Sequence, residues 1–192
     1  MKSLKFLLLC TMVGIITACS TEASFKVNQQ LTSPYVTDAE NQRNDDAALE
    51  KRLSGIISDQ LPQSKIKVVV TNFDVLLIGE VVSNSDKVQA ETICKRWPGT
   101  KQIFNYLEVS DIPQINVSSS LADSVKDRIS SQYDINITNI KVTAADGVVY
   151  IMGTNIGNLT ALQEAIKGVY TMPEVHKVVN LEQRGNLDYT ID

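Results

Sequence analysis

An internal repeat constrains the fold of this chain more than any other feature of the sequence. The apolar segment that ends at Gly79 aligns with the one that ends at Gly153. Further along, Asn105 aligns with Asn180 in the closing segments of the two copies. Because the offset between these two aligned pairs drifts by a single position over the whole unit, the sequence predicts two copies of one small domain.

In the first copy, the hydrophobic periodicity predicts the order helix, strand, strand, helix, strand. Asp45 or Asp46 can cap the first helix, a turn at 72–74 joins the first two strands, and Ser83 can begin the second helix, which stops before Gly99. The residues predicted to face inward are Leu49, Leu53, Ile56, Ile57 and Leu61 in the first helix, and Val88, Ala90, Ile93 and Trp97 in the second.

The second copy repeats this order. The serines at 118–120 offer a helix N-cap, Asp146 and Gly147 are typical of a type I′ hairpin turn, and Asn158 can cap the last helix. The residues predicted to face inward are Leu121, Val125, Ile129 and Tyr133, followed by Leu159, Leu162, Ile166, Val169 and Tyr170.

The predicted fold class is α+β, with two tandem small α-β-β-α-β domains, each a three-stranded mixed sheet packed against two helices. The predicted domains span 45–109 and 115–184, with a linker at 110–114 and a C-terminal tail at 185–192. The sequence leaves open whether the two sheets pack against each other.

The segment 1–18 differs from the rest of the chain. Lys2 and Lys5 form a basic start, and an apolar run at 6–16 follows. Since a helix that spans a bilayer needs about 20 apolar residues, this run is too short for a permanent membrane span. The segment 1–18 is therefore predicted to be a secretory signal that is removed.

The end of this signal carries a more specific motif. Ile16-Thr17-Ala18-Cys19 resembles the bacterial lipobox, in which the cysteine sulfur receives diacylglycerol. Cys19 is thus the predicted lipid-attachment residue, and an ordinary secretory signal that contains a cysteine is the alternative. Because Ser20 rather than Asp follows, the expected location is the periplasmic face of the bacterial outer membrane. The polar segment 19–44 is the predicted flexible tether.

Cysteine count and charge narrow the function classes. Cys10 would leave with the signal and Cys19 would carry lipid, so Cys94 would have no intramolecular partner. A half-buried core thiol is the prediction for Cys94, and an intermolecular disulfide is the alternative. Loss of Lys2 and Lys5 would leave 16 of 18 basic residues against 22 acidic ones, a net charge of −6. This charge argues against nucleic acid as a partner.

The sequence contains no pattern that indicates catalysis. His176 is the only histidine, so a metal site with several nitrogen ligands is not expected. Nucleophile-elbow, phosphate-loop and dinucleotide motifs are absent from the sequence. We therefore expect a protein that is not an enzyme, with no cofactor, no metal and no small-molecule substrate.

The repeated α-β-β-α-β order, the apolar strands that end at Gly79 and Gly153, and the closing strands with Asn105 and Asn180 resemble the BON domain family. A lipobox, a tether and two such domains together resemble the outer-membrane lipoproteins of that family. The resemblance implies a protein without enzymatic activity that associates with phospholipid membrane and supports outer-membrane integrity or assembly.

In such relatives, the first helix of the second domain faces anionic lipid. The matching helix here runs from about Ser119 to Tyr133 and offers Lys126 and Arg128 as candidate phospholipid contacts. Asp123 and Asp127 share this helix, and no aromatic residue precedes Tyr133, which departs from a lipid-docking pattern. The alternative function is a protein-interaction module that docks on an envelope complex, such as the barrel-assembly or division machinery, or on the cell wall, and uses the membrane only as an anchor.

Overall fold

The computed structural model of this protein describes residues 38–131, 135, 137–154 and 157–183. The predicted signal, Cys19, Tyr133 and the C-terminal tail lie outside these residues. The described helices are α1 (Asp38–Gln60), α2 (Asn84–Lys95), α3 (Ser119–Ser130) and α4 (Leu159–Val169). The described strands are β1 (Lys65–Thr71), β2 (Asp74–Val81), β3 (Ile103–Val109), β4 (Ile140–Ala145), β5 (Val148–Thr154) and β6 (Lys177–Gln183).

Each repeat forms a three-stranded mixed sheet, as predicted. The strand orders are β1-β2-β3 and β4-β5-β6. In each sheet the first two strands pair antiparallel, and the central and last strands pair parallel. A tight turn suffices for the antiparallel hairpin, whereas the parallel pair needs the crossover helix α2 or α4. The predicted α+β fold with two tandem α-β-β-α-β units is confirmed.

Both hairpins close through two-residue turns in the left-handed region. Asp146 and Gly147 have φ values of 52° and 75°, which fit the predicted type I′ turn. In the first domain Asn72 and Phe73 occupy the same positions with φ values of 52° and 64°, although neither is glycine. The Asp46 carboxylate accepts hydrogen bonds from the backbone N–H groups of Asn72 and Phe73, at 2.7 and 2.9 Å. These bonds hold a turn in which Asn72 is readily accommodated but the bulky Phe73 is not.

The start of the first helix differs from the prediction. α1 begins at Asp38, so residues 38–44 of the predicted tether are helical, and Asp45 and Asp46 lie inside the helix rather than at its N-cap. This first part contains good helix formers, Ala39, Glu40 and Gln42 among them, but no apolar stripe. Hydrophobic periodicity therefore gave no signal for it.

The other predicted caps are confirmed. The Ser83 hydroxyl accepts from the N–H of Asp86, and the Ser118 hydroxyl accepts from the N–H of Leu121. The side-chain oxygen of Asn158 accepts from the N–H of Ala161 at 3.1 Å. Each bond satisfies an N–H group that would otherwise have no partner within its helix.

Two residues predicted to face inward are exposed. Val88 is 63% exposed because it precedes the buried Ala90 by two positions, about 200° around the helix. Tyr170 is 54% exposed at the C-cap of α4, although its hydroxyl donates to the Val178 carbonyl at 3.2 Å. The buried stripe of α2 consists of Ala90, Ile93 and Cys94, at helical spacing.

The helices of each domain cover one face of that domain's sheet. Cys94 is fully buried in the first of these cores, and burial raises the pKa of its thiol to about 12. The thiol is therefore a core group, more deeply buried than predicted, and is poorly placed for an intermolecular disulfide. The largest fully buried side chains in the two cores include Leu53, Leu77 and Leu107 in the first domain and Ile129, Ile151 and Leu162 in the second.

The other faces of the two sheets pack against each other. Leu76 and Ile78 of β2 belong to one buried cluster with Tyr150 and Met152 of β5. Tyr150 and Met152 are the repeat equivalents of Leu76 and Ile78, so both domains use the same positions for the interface. The rings of Tyr106 and Tyr150 meet edge to face, with centroids 5.5 Å apart. The remaining buried members are Val69, Ala145, Val179 and Leu181.

We predict that Leu76→Ala destabilises the protein by about 2–5 kcal/mol, as in a domain core, because Leu76 is fully buried between the sheets. Chemical denaturation would measure the free energy of unfolding. The control Val88→Ala should change it by less than about 0.5 kcal/mol, since Val88 is exposed. An equally small effect for Leu76→Ala would contradict the sheet-to-sheet packing.

Candidate functional site

Helix α3 carries both predicted phospholipid contacts. Its buried stripe of Leu121, Val125 and Ile129 fixes it on the second domain. Lys126 and Arg128 are both exposed. Since they are two positions apart, they point about 200° away from each other around the helix axis. The structure therefore does not bring the two cations together on one face.

Arg128 lies against α4. The guanidinium of Arg128 lies close to Gly168. If Gly168 carried a Cβ atom, that atom would be 3.1 Å from the Nε atom of Arg128. Gly168 belongs to the last turn of α4, where the helix dipole is negative. Arg128 thus interacts with the C-terminal end of a neighbouring helix and covers its backbone.

Lys126 lies on the other side of α3, where it lines a groove of about 540 Å³ between the two domains. The groove is bounded by the first half of α1, the end of β1 with its turn, α3, and the start of β4. Its cationic residues are Arg43, Lys126 and Lys141. The other lining residues are Gln42, Asp46, Val70, Thr71, Asn72, Thr138, Asn139 and Ile140.

One of the three cations is neutralised across the domain boundary. The ammonium of Lys141 is 2.6 Å from Glu50 Oε2 and donates to the carbonyl of Val70 at 3.0 Å. The same carboxylate oxygen accepts from the N–H of Val70 at 3.0 Å, and the other carboxylate oxygen lies 3.8 Å from the ammonium of Lys67. Glu50 therefore links α1 and β1 of the first domain to β4 of the second.

The other two cations are available to a ligand. Neither Arg43 nor Lys126 forms an ion pair with any residue that the structure describes. The groove therefore offers two cations to an anionic group, beside an Asp46 carboxylate that is already hydrogen-bonded to the turn.

The outer face of α3 lacks an apolar anchor. The large apolar residues exposed in the described parts of the chain are Val88, Val109, Ile112, Val117 and Tyr170, and none of them belongs to α3. Asp123 and Asp127 are exposed on the same helix as Lys126 and Arg128. The helix can therefore provide local charge contacts but little insertion into a lipid layer.

Sequence analysis missed Arg43 and Lys141. Arg43 fell in the predicted tether, so nothing marked it as part of a folded groove. A signal did exist for Lys141, because it is the repeat equivalent of Lys67 and both occupy the first half of an edge strand. Only the packing of the sheets brings Lys141 to Glu50.

The structure adds no sign of a metal site. Within the described residues, His, Cys, Asp and Glu form no group of three or more that could hold a metal ion. His176 is exposed beside β6, with its imidazole against Gly147, and its backbone N–H donates to the Gly147 carbonyl at 2.8 Å. None of the described helices is both long and apolar enough to cross a membrane.

A buried carboxyl lies beside the turn of the first domain. Asp74 is 2% exposed, and desolvation raises the pKa of its carboxyl to about 6. The N–H of Gln102 donates to this carboxyl at 3.2 Å, which, like the charge of Lys101, opposes the increase in pKa. The ionised form of Asp74 is thus unfavourable in the folded state.

The amino-acid sequence matches the BON domain family at residues 45–111 and 118–183, which is well over half of the chain. The chain belongs to the BON domain family. The predicted resemblance is thus confirmed, and each BON domain corresponds to one α-β-β-α-β unit of the structure. The groove lies between the two BON domains.

Several known proteins are similar to this chain. A 21 kDa hemolysin of Actinobacillus pleuropneumoniae is 26% identical over 146 residues, which cover 72% of this chain and 75% of the hemolysin. The outer membrane lipoprotein DolP of Haemophilus influenzae is 28% identical over 115 residues, which cover 57% of this chain and 60% of DolP. The chain thus spans less than two thirds of the length of DolP.

A solved structure is also similar over part of the chain. It is the C-terminal domain of CdsD, a structural protein of the type III secretion system of Chlamydia trachomatis. The similarity covers 66% of this chain and 92% of the CdsD chain, with 11% identity and a TM-score of 0.28. A TM-score of this size does not establish a common arrangement of the two molecules.

We predict that the Glu50–Lys141 ion pair couples the two BON domains by about 0.5–1 kcal/mol. A double-mutant cycle of Glu50→Gln and Lys141→Met, measured by chemical denaturation, gives this energy, which should fall with added salt. The cycle of Glu50→Gln with Lys67→Met should give a smaller value, because Lys67 is 3.8 Å from the carboxylate rather than 2.6 Å. Equal coupling in the two cycles would disprove a specific role for Lys141.

We expect Asp74→Asn to stabilise the protein at neutral pH. Folding raises the pKa of the Asp74 carboxyl from 3.8 to about 6. The protonated carboxyl therefore makes its full contribution to stability below pH 3.8, and this contribution is lost as the pH rises through 6. The amide stays neutral and can still accept from Gln102. The variant should therefore gain up to about 3 kcal/mol above pH 6, relative to its effect below about pH 3.

Denaturation at a series of pH values would measure this difference. Asp111→Asn, the same substitution at an exposed position, is the control. A constant difference between wild type and Asp74→Asn across the series would contradict the raised pKa.

Proposed function

We propose that this protein is a lipid-anchored envelope protein without enzymatic activity, which associates with phospholipid membrane and supports outer-membrane integrity or assembly. Cys19 would carry the lipid at the periplasmic face of the outer membrane. The observation that supports the proposal is the combination of a sequence at 16–19 that resembles a lipobox with two BON domains in the same chain.

The similarity to an outer membrane lipoprotein supports this location. DolP of Haemophilus influenzae carries that description and shares 28% identity with this chain. An anchor on Cys19 would keep the BON domains close to the bilayer, because residues 19–37 can reach several tens of Å at about 3.3 Å per residue. At that effective concentration, contacts that are individually weak suffice for surface association.

The chemistry of the inter-domain groove fits a phospholipid headgroup. Arg43 and Lys126 can both donate hydrogen bonds to phosphate, and the neutralised Lys141 lines the same groove. Arg128 lies on the other side of α3 and would contact a membrane only if that side faces it. Lys126 is therefore the stronger of the two predicted contacts.

The surface of α3 also favours a second function, docking on another protein or on the cell wall. This helix combines Asp123 and Asp127 with two cations and presents no large apolar residue, which suits a protein surface as well as a bilayer. In that case the protein would dock on an envelope complex or the cell wall, and the lipid on Cys19 would serve only as an anchor.

Vesicle flotation tests the phospholipid function. We expect the chain from Ser20 to Asp192 to float with vesicles of phosphatidylcholine and phosphatidylglycerol in equal parts, more weakly in high salt, and not with phosphatidylcholine alone. Lys126→Glu combined with Arg128→Glu should weaken the flotation, because it reverses the charge of Lys126 at the groove and that of Arg128 on the other side of α3.

The matched control combines Lys65→Glu with Lys167→Glu, which makes the same change in net charge on other elements and should float almost as wild type. Failure of the wild-type protein to float with either kind of vesicle would refute phospholipid association and favour the protein-docking function.

A further inference from the structure

Two cations of the first BON domain lie over aromatic rings at one end of that domain. The guanidinium carbon of Arg52, on α1, is 4.9 Å from the centroid of the Trp97 ring. The ammonium of Lys101 is 5.5 Å from the centroid of the Phe73 ring and donates to the Asn72 side-chain oxygen at 3.1 Å. Both distances are those of cation–π contacts.

The rings are fixed in place by the core and by backbone hydrogen bonds. Trp97 and Phe73 are each half-buried against the first core. The N–H of Lys101 donates to the carbonyl of Phe73 at 2.9 Å, and the N–H of Thr100 donates to the carbonyl of Trp97 at 3.3 Å. The loop after α2 and the turn after β1 thus form one rigid surface. We call Arg52, Phe73, Arg96, Trp97 and Lys101 the basic–aromatic patch.

The charge of this patch is largely uncompensated. Arg52, Arg96 and Lys101 are exposed, and none of them forms an ion pair with another described residue. The nearby carboxyls of Asp46 and Asp74 are buried and accept backbone N–H groups, although Asp74 still lies within the electrostatic reach of Lys101. The patch therefore carries three exposed cations although the whole chain is acidic.

The second domain has the same fold but lacks this surface. At the hairpin turn, the backbone hydrogen bond from Lys101 to Phe73 has its equivalent in the bond from His176 to Gly147. His176 and Gly147 thus take the places of Lys101 and Phe73, so the second turn has neither the lysine nor the aromatic ring.

The other members of the patch are also replaced in the second domain. Arg52 and Ser124 are equivalent, because each directly precedes a fully buried residue of the first helix in its domain. The replaced pairs are Arg52 with Ser124, Arg96 with Thr171, and Trp97 with Met172. Met172 packs against the second core as Trp97 packs against the first, so packing requires an apolar residue there but not an aromatic ring. The common fold requires none of the three cations.

We infer that the basic–aromatic patch of the first domain is a docking surface for the anionic phospholipid headgroups of a membrane. Its cations complement phosphate, and its half-buried rings present the amphipathic surface that aromatic residues offer at a bilayer interface. Because the rings already hold Arg52 and Lys101 in position, less side-chain freedom is lost when phosphate binds. The inference rests on the proposed association with phospholipid but assigns it to a different surface from α3.

Trp97 makes this surface directly observable, because it is the only tryptophan in the chain. We expect its emission to shift to shorter wavelength when the chain from Ser20 to Asp192 binds vesicles of phosphatidylcholine and phosphatidylglycerol in equal parts. Phosphatidylcholine vesicles should leave the emission unchanged, and high salt should reverse the shift. Docking through α3 alone would leave the emission unchanged while the protein still floats with the vesicles.

Paired variants test which cations matter. Arg52→Gln with Lys101→Gln should weaken binding to the anionic vesicles by about 25-fold, at about five-fold per cation. The matched variant Lys65→Gln with Lys167→Gln removes the same charge from other elements and should retain both the binding and the shift in Trp97 emission. Thermal unfolding of both variants checks that they fold, which is expected because all four side chains are exposed.

The outcomes separate the two proposals. Binding that is unchanged in the patch variant but lost with Lys126→Glu and Arg128→Glu, with no change in the Trp97 emission of the wild type, overturns the patch and leaves the proposed function intact. Absence of binding to any vesicle overturns both. Loss of binding and of the emission shift in the patch variant, but not in the matched variant, supports the patch.

Discussion

The whole structure depends on covering the second apolar face of each sheet. Within one BON domain two helices cover one face, yet the central strands β2 and β5 are apolar on both. Each domain covers the second face of the other domain's sheet. The two domains use equivalent residues for this contact, such as Leu76 with Tyr150 and Ile78 with Met152. A symmetric dimer buries a self-complementary patch in the same way, and here both copies belong to one chain.

The inter-domain groove is a consequence of this packing. Once the sheets meet, the turn end of the first hairpin lies beside the start of β4, and Lys126 of α3 lines the same groove as Arg43 of α1. The ion pair between Glu50 and Lys141 then ties the two domains at the edge of the interface. A charged site of this kind cannot exist in an isolated BON domain, because its walls come from both.

The two domains share a fold but differ in their surfaces. Arg52 and Trp97 in the first domain correspond to Ser124 and Met172 in the second, while the buried stripes of the helices remain apolar in both. Core positions are constrained by packing, whereas surface positions can differ without changing the fold. A tandem repeat can therefore present two different surfaces to its surroundings.

The sequence by itself determined the repeat, the order of elements, the caps at Ser83, Ser118 and Asn158, and the type I′ turn, because these follow from local periodicity and turn chemistry. It did not reveal the helical start of α1, which lacks an apolar stripe, or the exposure of Val88. Only the tertiary structure decided that the sheets pack together and that Lys141 reaches Glu50. Contacts between residues distant in sequence depend on how elements meet in space, which periodicity does not encode.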